Sequence, residues 1–170
     1  FTTSAAILEV IRSETDIKPD VTAGLSMGEY SALYAAGVMS FKDALILVRK
    51  RGTAMQAAAD ATEGAMVSIL GLDEEKVEAL CREAADGQLL KAVNFNCPGQ
   101  IVISGDVDAC QRGADLAEKF GAIKAVILKV AGAFHTEKME SAADALKTAL
   151  ENTEIADISE LKEKIELETL

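Results

Sequence analysis

The chain has 170 residues, 49% of them apolar and 4% aromatic with no Trp, and its formal net charge is −11. That length supports one sizeable core with room for a small second lobe. The acidic balance excludes a uniformly basic nucleic-acid footprint, and no apolar run approaches the roughly 20 residues that span a bilayer. The apolar quota is filled by Ala, Val, Ile and Leu, which suits closely packed α/β layers. An acidic partner would have to find a local basic patch, and the densest is Arg49, Lys50 and Arg51. Cys81, Cys97 and Cys110 are an odd count without CxxC spacing. They argue against a disulfide scaffold or a zinc site, suit a reducing cytoplasm, and receive no catalytic role here. No signal peptide opens the chain, although Phe1 is not an initiator Met and the true N-terminus is expected ahead of it.

In chain order, Ser4 to Ser13 reads as a helix with Ile7, Leu8 and Ile11 on one face, and Pro19 ends that region. Val21 to Leu25 is a short apolar run of the kind that forms a buried strand. Ser26-Met27-Gly28-Glu29 follows at once, then Tyr30 to Ala36 in helical pattern, closed by Gly37. Ser40 is the expected N-cap of the next helix, which carries Ala44, Leu45, Leu47 and Val48 towards Ala59. From Gly64 the rhythm changes. Ala65 to Leu70 is a strand and Asp73 to Ala85 a helix with Val77, Leu80 and Cys81 inward. Lys91 to Phe95 and Gln100 to Ser104 are strands around a turn at Cys97-Pro98-Gly99. Asp106 to Phe120 is a helix, and Lys124 to Val130 a strand. Strand, helix, strand, strand, helix, strand is the split βαβ, ferredoxin-like order. Thr136 then caps a helix to about Leu150, and the charged tail from about Ile158 is helical in pattern.

The sharpest chemical signal is Gly24-Leu25-Ser26-Met27-Gly28 between a short strand and a helix. This is the nucleophile-elbow pattern: small residues let the backbone turn sharply and the Ser hydroxyl stands exposed at a helix N-terminus. There the positive dipole end and the Met27 N–H favour a developing oxyanion. A Ser hydroxyl needs a base, and the chain has one histidine, His135, between a strand and a helix in Gly132-Ala133-Phe134-His135-Thr136. The competing role for such a residue is a surface or capping histidine. No carboxylate announces itself as a third member, and a backbone or amide acceptor would serve to orient the imidazole. Arg51, late in an apolar helix, carries a planar guanidinium suited to a carboxylate; the alternative is a solvated face shared with Arg49 and Lys50. Asp73-Glu74-Glu75 opens a helix and is no metal site, and Gly99 to Gly105 lacks phosphate-loop spacing.

Four segments resemble the malonyl-CoA:acyl carrier protein transacylases of fatty-acid synthesis. Gly24-Leu25-Ser26-Met27-Gly28-Glu29-Tyr30-Ser31-Ala32-Leu33 is similar to that family's active-serine motif, and Arg51-Gly52 with Met55-Gln56 to its carboxylate-binding segment. Val93-Asn94-Phe95-Asn96-Cys97-Pro98-Gly99-Gln100 through Ser104-Gly105 resembles its small-lobe hairpin, and Gly132-Ala133-Phe134-His135 its histidine motif. The resemblance implies a malonyl group carried from malonyl-CoA through a malonyl-serine ester to the phosphopantetheine thiol of acyl carrier protein, with no cofactor. It gives Ser26 the role of nucleophile, His135 that of general base and acid, Met27 an oxyanion N–H, and Arg51 the free malonyl carboxylate. Asn96 is implied to help line the site, and Phe134 to favour malonyl over methylmalonyl by crowding out an α-methyl branch.

The implied fold is an incomplete α/β-hydrolase-like core, residues 1–62 and 131–170, interrupted by a ferredoxin-like βαββαβ subdomain, residues 63–130. Leu25 stands where many members have His. The family's glycine-glutamine motif, which supplies a second oxyanion N–H, is expected before Phe1, and its C-terminal strands and a His-orienting amide are absent. The chain therefore reads as a fragment or as joined pieces of a longer one, with a junction near Ile158. Two further readings stay open: a serine hydrolase of the esterase or patatin-like kind, and a non-catalytic carrier-protein-binding fragment.

Overall fold

The computed structural model describes residues 1–156. The charged tail expected to be helical from Ile158 lies outside the described residues. The chain divides into two compact units, one comprising Phe1–Gly52 with the described residues from Ala145 on, the other Thr53–Asp144.

The first unit holds α1 (Thr2–Glu14), α2 (Gly28–Ala35), the beginning of α3 (Phe41–Ala61) and the end of α6 (Glu140–Glu151). Its core gathers Tyr30, Val38, Met39, Ala44, Leu47 and Ala149. Gly37, at φ 76°, ends α2: its N–H donates to the Tyr34 carbonyl and that of Val38 to the Leu33 carbonyl. This pair of bonds satisfies carbonyls that the last helical turn leaves open. Ser40 caps α3 as expected, accepting the Asp43 N–H at 3.1 Å. Against α2, α1 is tied by polar side chains: Tyr34 donates to Glu9 at 2.8 Å and Arg12 to the Ala35 carbonyl at 3.0 Å. Only Ala5 of α1 is buried, and Ile7, Val10 and Ile11 are exposed.

The second unit is built on an antiparallel sheet of β1 (Ala65–Leu70), β2 (Leu90–Cys97), β3 (Gln100–Gly105) and β4 (Lys124–Ile127), in the order β2-β3-β1-β4. Between β1 and β2 lies α4 (Glu74–Ala85), and between β3 and β4 lies α5 (Val107–Leu116), followed by a 3-10 turn, Ala117–Phe120. Side chains alternate across a strand, so Val67 and Ile69 of β1 share one face with Ile101 and Ile103 of β3. They meet Val77, Leu80, Cys81 and Ala84 of α4, spaced for one helical face, and Ala109 and Cys110 of α5. Asp73 caps α4, its side chain accepting the Lys76 N–H at 2.9 Å. The molecule is thus mixed α/β with a small antiparallel sheet.

Several elements differ from expectation, among them the helix expected over Asp106 to Phe120, which is α-helical over Val107–Leu116 and turns 3-10 at Ala117–Phe120. Val21 to Leu25 forms no strand: the four strands of the described residues all lie in the second unit, and an apolar run becomes a strand only where a ladder partner accepts its backbone. β4 stops at Ile127 rather than Val130. After Leu128 donates to the Met66 carbonyl, the Val130 N–H turns back onto the Leu128 carbonyl, and that tight turn ends the pairing. The helix after Thr136 begins as a 3-10 turn, Glu137–Met139, with the Thr136 hydroxyl accepting the Lys138 N–H, before α6 takes over.

Candidate active site

Ser26 sits where the irregular segment Val21 to Leu25 meets α2, and its φ of 56° is in the left-handed region. An L-residue there is strained by about 1–2 kcal/mol, and such strain concentrates at functional positions. The turn is held by the Gly28 N–H donating to the Leu25 carbonyl at 2.9 Å and the Glu29 N–H to the Ser26 carbonyl at 3.3 Å. A Cβ on Gly24 would lie 2.1 Å from the Gly28 carbonyl carbon, so only glycine lets the incoming chain pass α2 so closely. A Cβ on Gly28 would meet nothing within 4 Å among the described residues, so here the close approach rests on Gly24. Thr22, which sequence reasoning passed over, donates its hydroxyl to the Ala32 carbonyl at 3.0 Å and fastens the incoming segment to α2. A lone Thr in an apolar run gives no sequence signal for that role. Met27 is the N-cap residue of α2, with an exposed side chain.

Arg51 projects from α3, and its Nη2 donates to the Ser26 hydroxyl oxygen at 2.8 Å. It is half-buried, whereas Arg49 and Lys50 are exposed, which sets it apart from a uniformly solvated basic face. Its charge also reaches Tyr30: burial pushes that phenol above its ordinary value, and the guanidinium draws it partly back.

Phe134 and His135 lie together in the second unit, between β4 and the 3-10 turn. Phe134 packs against the buried cluster of Ala58, Ala59, Met139 and Ala142. His135 is exposed, with φ 63°, so the two sequence candidates for nucleophile and base are two of the three non-glycine residues with positive φ among the described residues; the third, Asp86, caps α4. Close approaches fix the loop on both sides. A Cβ on Gly132 would lie 2.8 Å from the Ala59 Cβ, and one on Gly64 2.6 Å from the Ala133 Cβ. The Thr136 hydroxyl donates to the Ala133 carbonyl at 2.7 Å. Three residues past His135, the Lys138 ammonium pairs with Asp106 Oδ1 and donates to the Glu63 carbonyl, each at 2.5 Å. Asp106 Oδ2 in turn accepts the Leu89 N–H at 2.8 Å. The Lys138 hydrogen bond, and then that of Leu89, hold the Asp106 carboxyl below its ordinary value.

Asn96 lies on the edge strand β2 and is exposed. Pairing skips it, with Phe95 opposite Ile101 and Cys97 opposite Gln100, so it is the extra residue of a bulge. Bulges re-aim side chains, often beside functional sites; the sequence reading ends the strand at Phe95, whereas β2 continues through Asn96 to Cys97. Burial pushes the Cys81 thiol up to about 12 and that of Cys110 to about 11, so both stay protonated at neutral pH and are core residues. Among the described residues no three His, Cys, Asp or Glu side chains are grouped to hold a metal, and no helix is long and apolar enough to cross a membrane.

The profile of the acyl transferase domain matches residues 1–166. The chain belongs to the acyl transferase domain family. It is 49% identical over 158 residues to the malonyl CoA-acyl carrier protein transacylase of Bacillus subtilis (strain 168), covering 92% of this chain and 50% of that one. A malonyl-transacylase solved in complex with its type II PKS acyl-carrier protein superposes with a TM-score of 0.84 at 44% identity, over 90% of this chain and 50% of the other. The malonyl CoA-acyl carrier protein transacylase of Coxiella burnetii superposes with a TM-score of 0.85 at 39% identity, over 89% and 48%. This acyl transferase domain thus spans about half the length of the relatives it matches.

Proposed function

We propose that the chain carries the acyl-transfer chemistry of a malonyl-CoA:acyl carrier protein transacylase. The observation that carries this reading is the 2.8 Å hydrogen bond from Arg51 to the Ser26 hydroxyl. A guanidinium that close to a nucleophile suits an acyl group whose free carboxylate lies only a bond or two from the reacting carbonyl, and malonyl is the short dicarboxylic acyl group with that spacing.

In the proposed reaction Ser26 Oγ attacks the thioester carbonyl of malonyl-CoA while the imidazole of His135 takes the hydroxyl proton. The Met27 N–H, at the positive end of α2, stabilises the oxyanion. As the tetrahedral intermediate collapses, the carbon–sulfur bond breaks and the imidazolium returns the proton to the departing CoA thiolate. The phosphopantetheine thiol of acyl carrier protein then gives its proton to His135 and attacks the malonyl-serine ester; the carbon–Oγ bond breaks, the imidazolium returns the proton to Ser26 Oγ, and the malonyl thioester leaves. No cofactor enters. Phe134 is proposed to disfavour an α-methyl branch, Asn96 to line the acyl path, and the cytoplasm to be the compartment.

The fold proposed for the whole is an α/β-hydrolase-like core, residues 1–62 and 131–170, interrupted by a ferredoxin-like lobe at 63–130. The β2-β3-β1-β4 strand order and the order of helices and strands from β1 to β4 support the lobe assignment.

Labelled malonyl-CoA tests the reading. An adduct is expected on Ser26, absent from Ser26→Ala and released faster by a pantetheine thiol than by water. Arg51→Ala should shift the preference from malonyl towards acetyl by about 10- to 100-fold, the worth of a hydrogen bond to a charged group. A malonyl preference that survives Arg51→Ala removes the carboxylate assignment, and release by water alone favours a hydrolase.

A further inference from the structure

The Lys138–Asp106 pair stands out among the ion pairs of the described residues. Its side chains are 21% and 28% exposed, whereas in every other pair each partner is at least 39% exposed. Exposed pairs contribute little. Here each partner carries a further hydrogen bond: Lys138 also reaches the Glu63 carbonyl, and Asp106 also takes the Leu89 N–H.

Its location gives it a consequence for His135. The backbone at Glu63-Gly64 touches the histidine loop on both flanks, Gly64 against Ala133 ahead of His135 and the Glu63 carbonyl against Lys138 behind it. Thr136 links the same two flanks, donating to Ala133 and accepting from Lys138. Between these ties His135 is held with φ at 63°, a conformation that surrounding structure must impose on a residue other than glycine. Phe134 and Met139 anchor the loop by apolar packing, which fixes depth. The ammonium bridging Asp106 and Glu63 supplies directional bonds, which fix rotation.

We propose that Lys138, clamped by Asp106 and the Glu63 carbonyl, is a positioning residue that sets the orientation of the His135 imidazole. The inference deepens the acyl-transfer reading of the same residue, yet its first test needs no substrate. His135 is the only histidine in the chain, so its ring carbon–proton resonance is unshared in an NMR spectrum of the full chain.

Lys138→Met should split or broaden that resonance while circular dichroism stays folded, and Lys138→Arg, which keeps the charge and both bonds, should restore a single sharp signal. In the labelling assay Lys138→Met should slow Ser26 acylation about 10- to 100-fold with half-saturation unchanged, the expected effect of misplacing a reacting group by about an ångström. If Lys138→Met does not fold, Asp106→Asn replaces it: the shape and the Leu89 acceptor remain, the charge goes, and the same ring signature is expected. A brace that served stability alone would lower the melting midpoint and leave the ring signal of the folded chain untouched, and that result overturns the proposal. So does a changed signal that Lys138→Arg fails to reverse. Absence of labelling in the unsubstituted chain would count against acyl transfer and leave the resonance result standing.

Discussion

Two short apolar stretches of this molecule meet opposite fates. Ala65–Leu70 becomes β1, paired on one side with β3 and on the other with β4, and its Val67 and Ile69 are 0% exposed. Val21 to Leu25 forms no regular structure and no ladder, its Val21 67% and its Leu25 59% exposed. Both are rich in small and β-branched side chains, so propensity does not separate them. What separates them is supply: β1 finds two partners within its own unit and two helices to cover one face, whereas the first unit holds no strand among its described residues. A strand is a relation between segments, and a segment by itself carries only half of it.

The largest expected effect follows from that contrast. Ile103→Ala removes a side chain that is 0% exposed in the sheet core and should destabilise the second unit by about 2–5 kcal/mol. Val21→Ala, at an exposed position, should change stability by no more than about 0.5 kcal/mol. Hydrogen exchange along the ladder between β1 and β3 reads the first, and urea unfolding the second. Comparable losses at the two positions would mean that the apolar segment before Ser26 is packed after all.

Next in size is the elbow itself. Gly24→Ala drives a Cβ to 2.1 Å from backbone that cannot yield, so the turn carrying Ser26 must open. Labelling by malonyl-CoA should fall about 100-fold or more, as for other displacements of a reacting group. Gly28→Ala meets open space at the start of α2 and should leave labelling within a small factor, with helix propensity improved by up to about 1 kcal/mol. Equal losses from the two substitutions would show that both glycines are sterically required.

These positions also mark how far the sequence could be read. The second unit was legible because its periodicities are local and its partners are near in the chain: Val77, Leu80 and Cys81 announced the buried face of α4, and the turn at Pro98-Gly99 announced the hairpin. Ser26, Arg51 and His135 were legible as residue types in particular settings and through the four family motifs. The rest depended on geometry that no spacing encodes. Asn96 sits in a bulge that only strand register reveals. Lys138 looks like a surface lysine until Asp106, 32 residues earlier, is brought beside it. Gly24 and Gly28 are interchangeable in a motif and unequal in space.

The smallest effect isolates the strain at Ser26 from its chemistry. Ser26→Ala and Ser26→Gly both delete the hydroxyl that accepts from Arg51, so they lose the same side-chain contact. They differ in the Cβ, which alanine keeps at φ 56° and glycine lacks. Holding an L-residue there costs about 1–2 kcal/mol, and glycine returns about 0.5–1 kcal/mol of this through its greater freedom when unfolded. Ser26→Gly should therefore be more stable than Ser26→Ala by about 1 kcal/mol. The measurement is direct, because the only two tyrosines, Tyr30 and Tyr34, both lie on α2 beside the elbow and report its unfolding by fluorescence. Equal midpoints for the two variants would mean that the backbone at Ser26 relaxes once the hydroxyl is gone. The left-handed turn would then be held by the bond to Arg51 rather than imposed by the passage of Gly24 against α2.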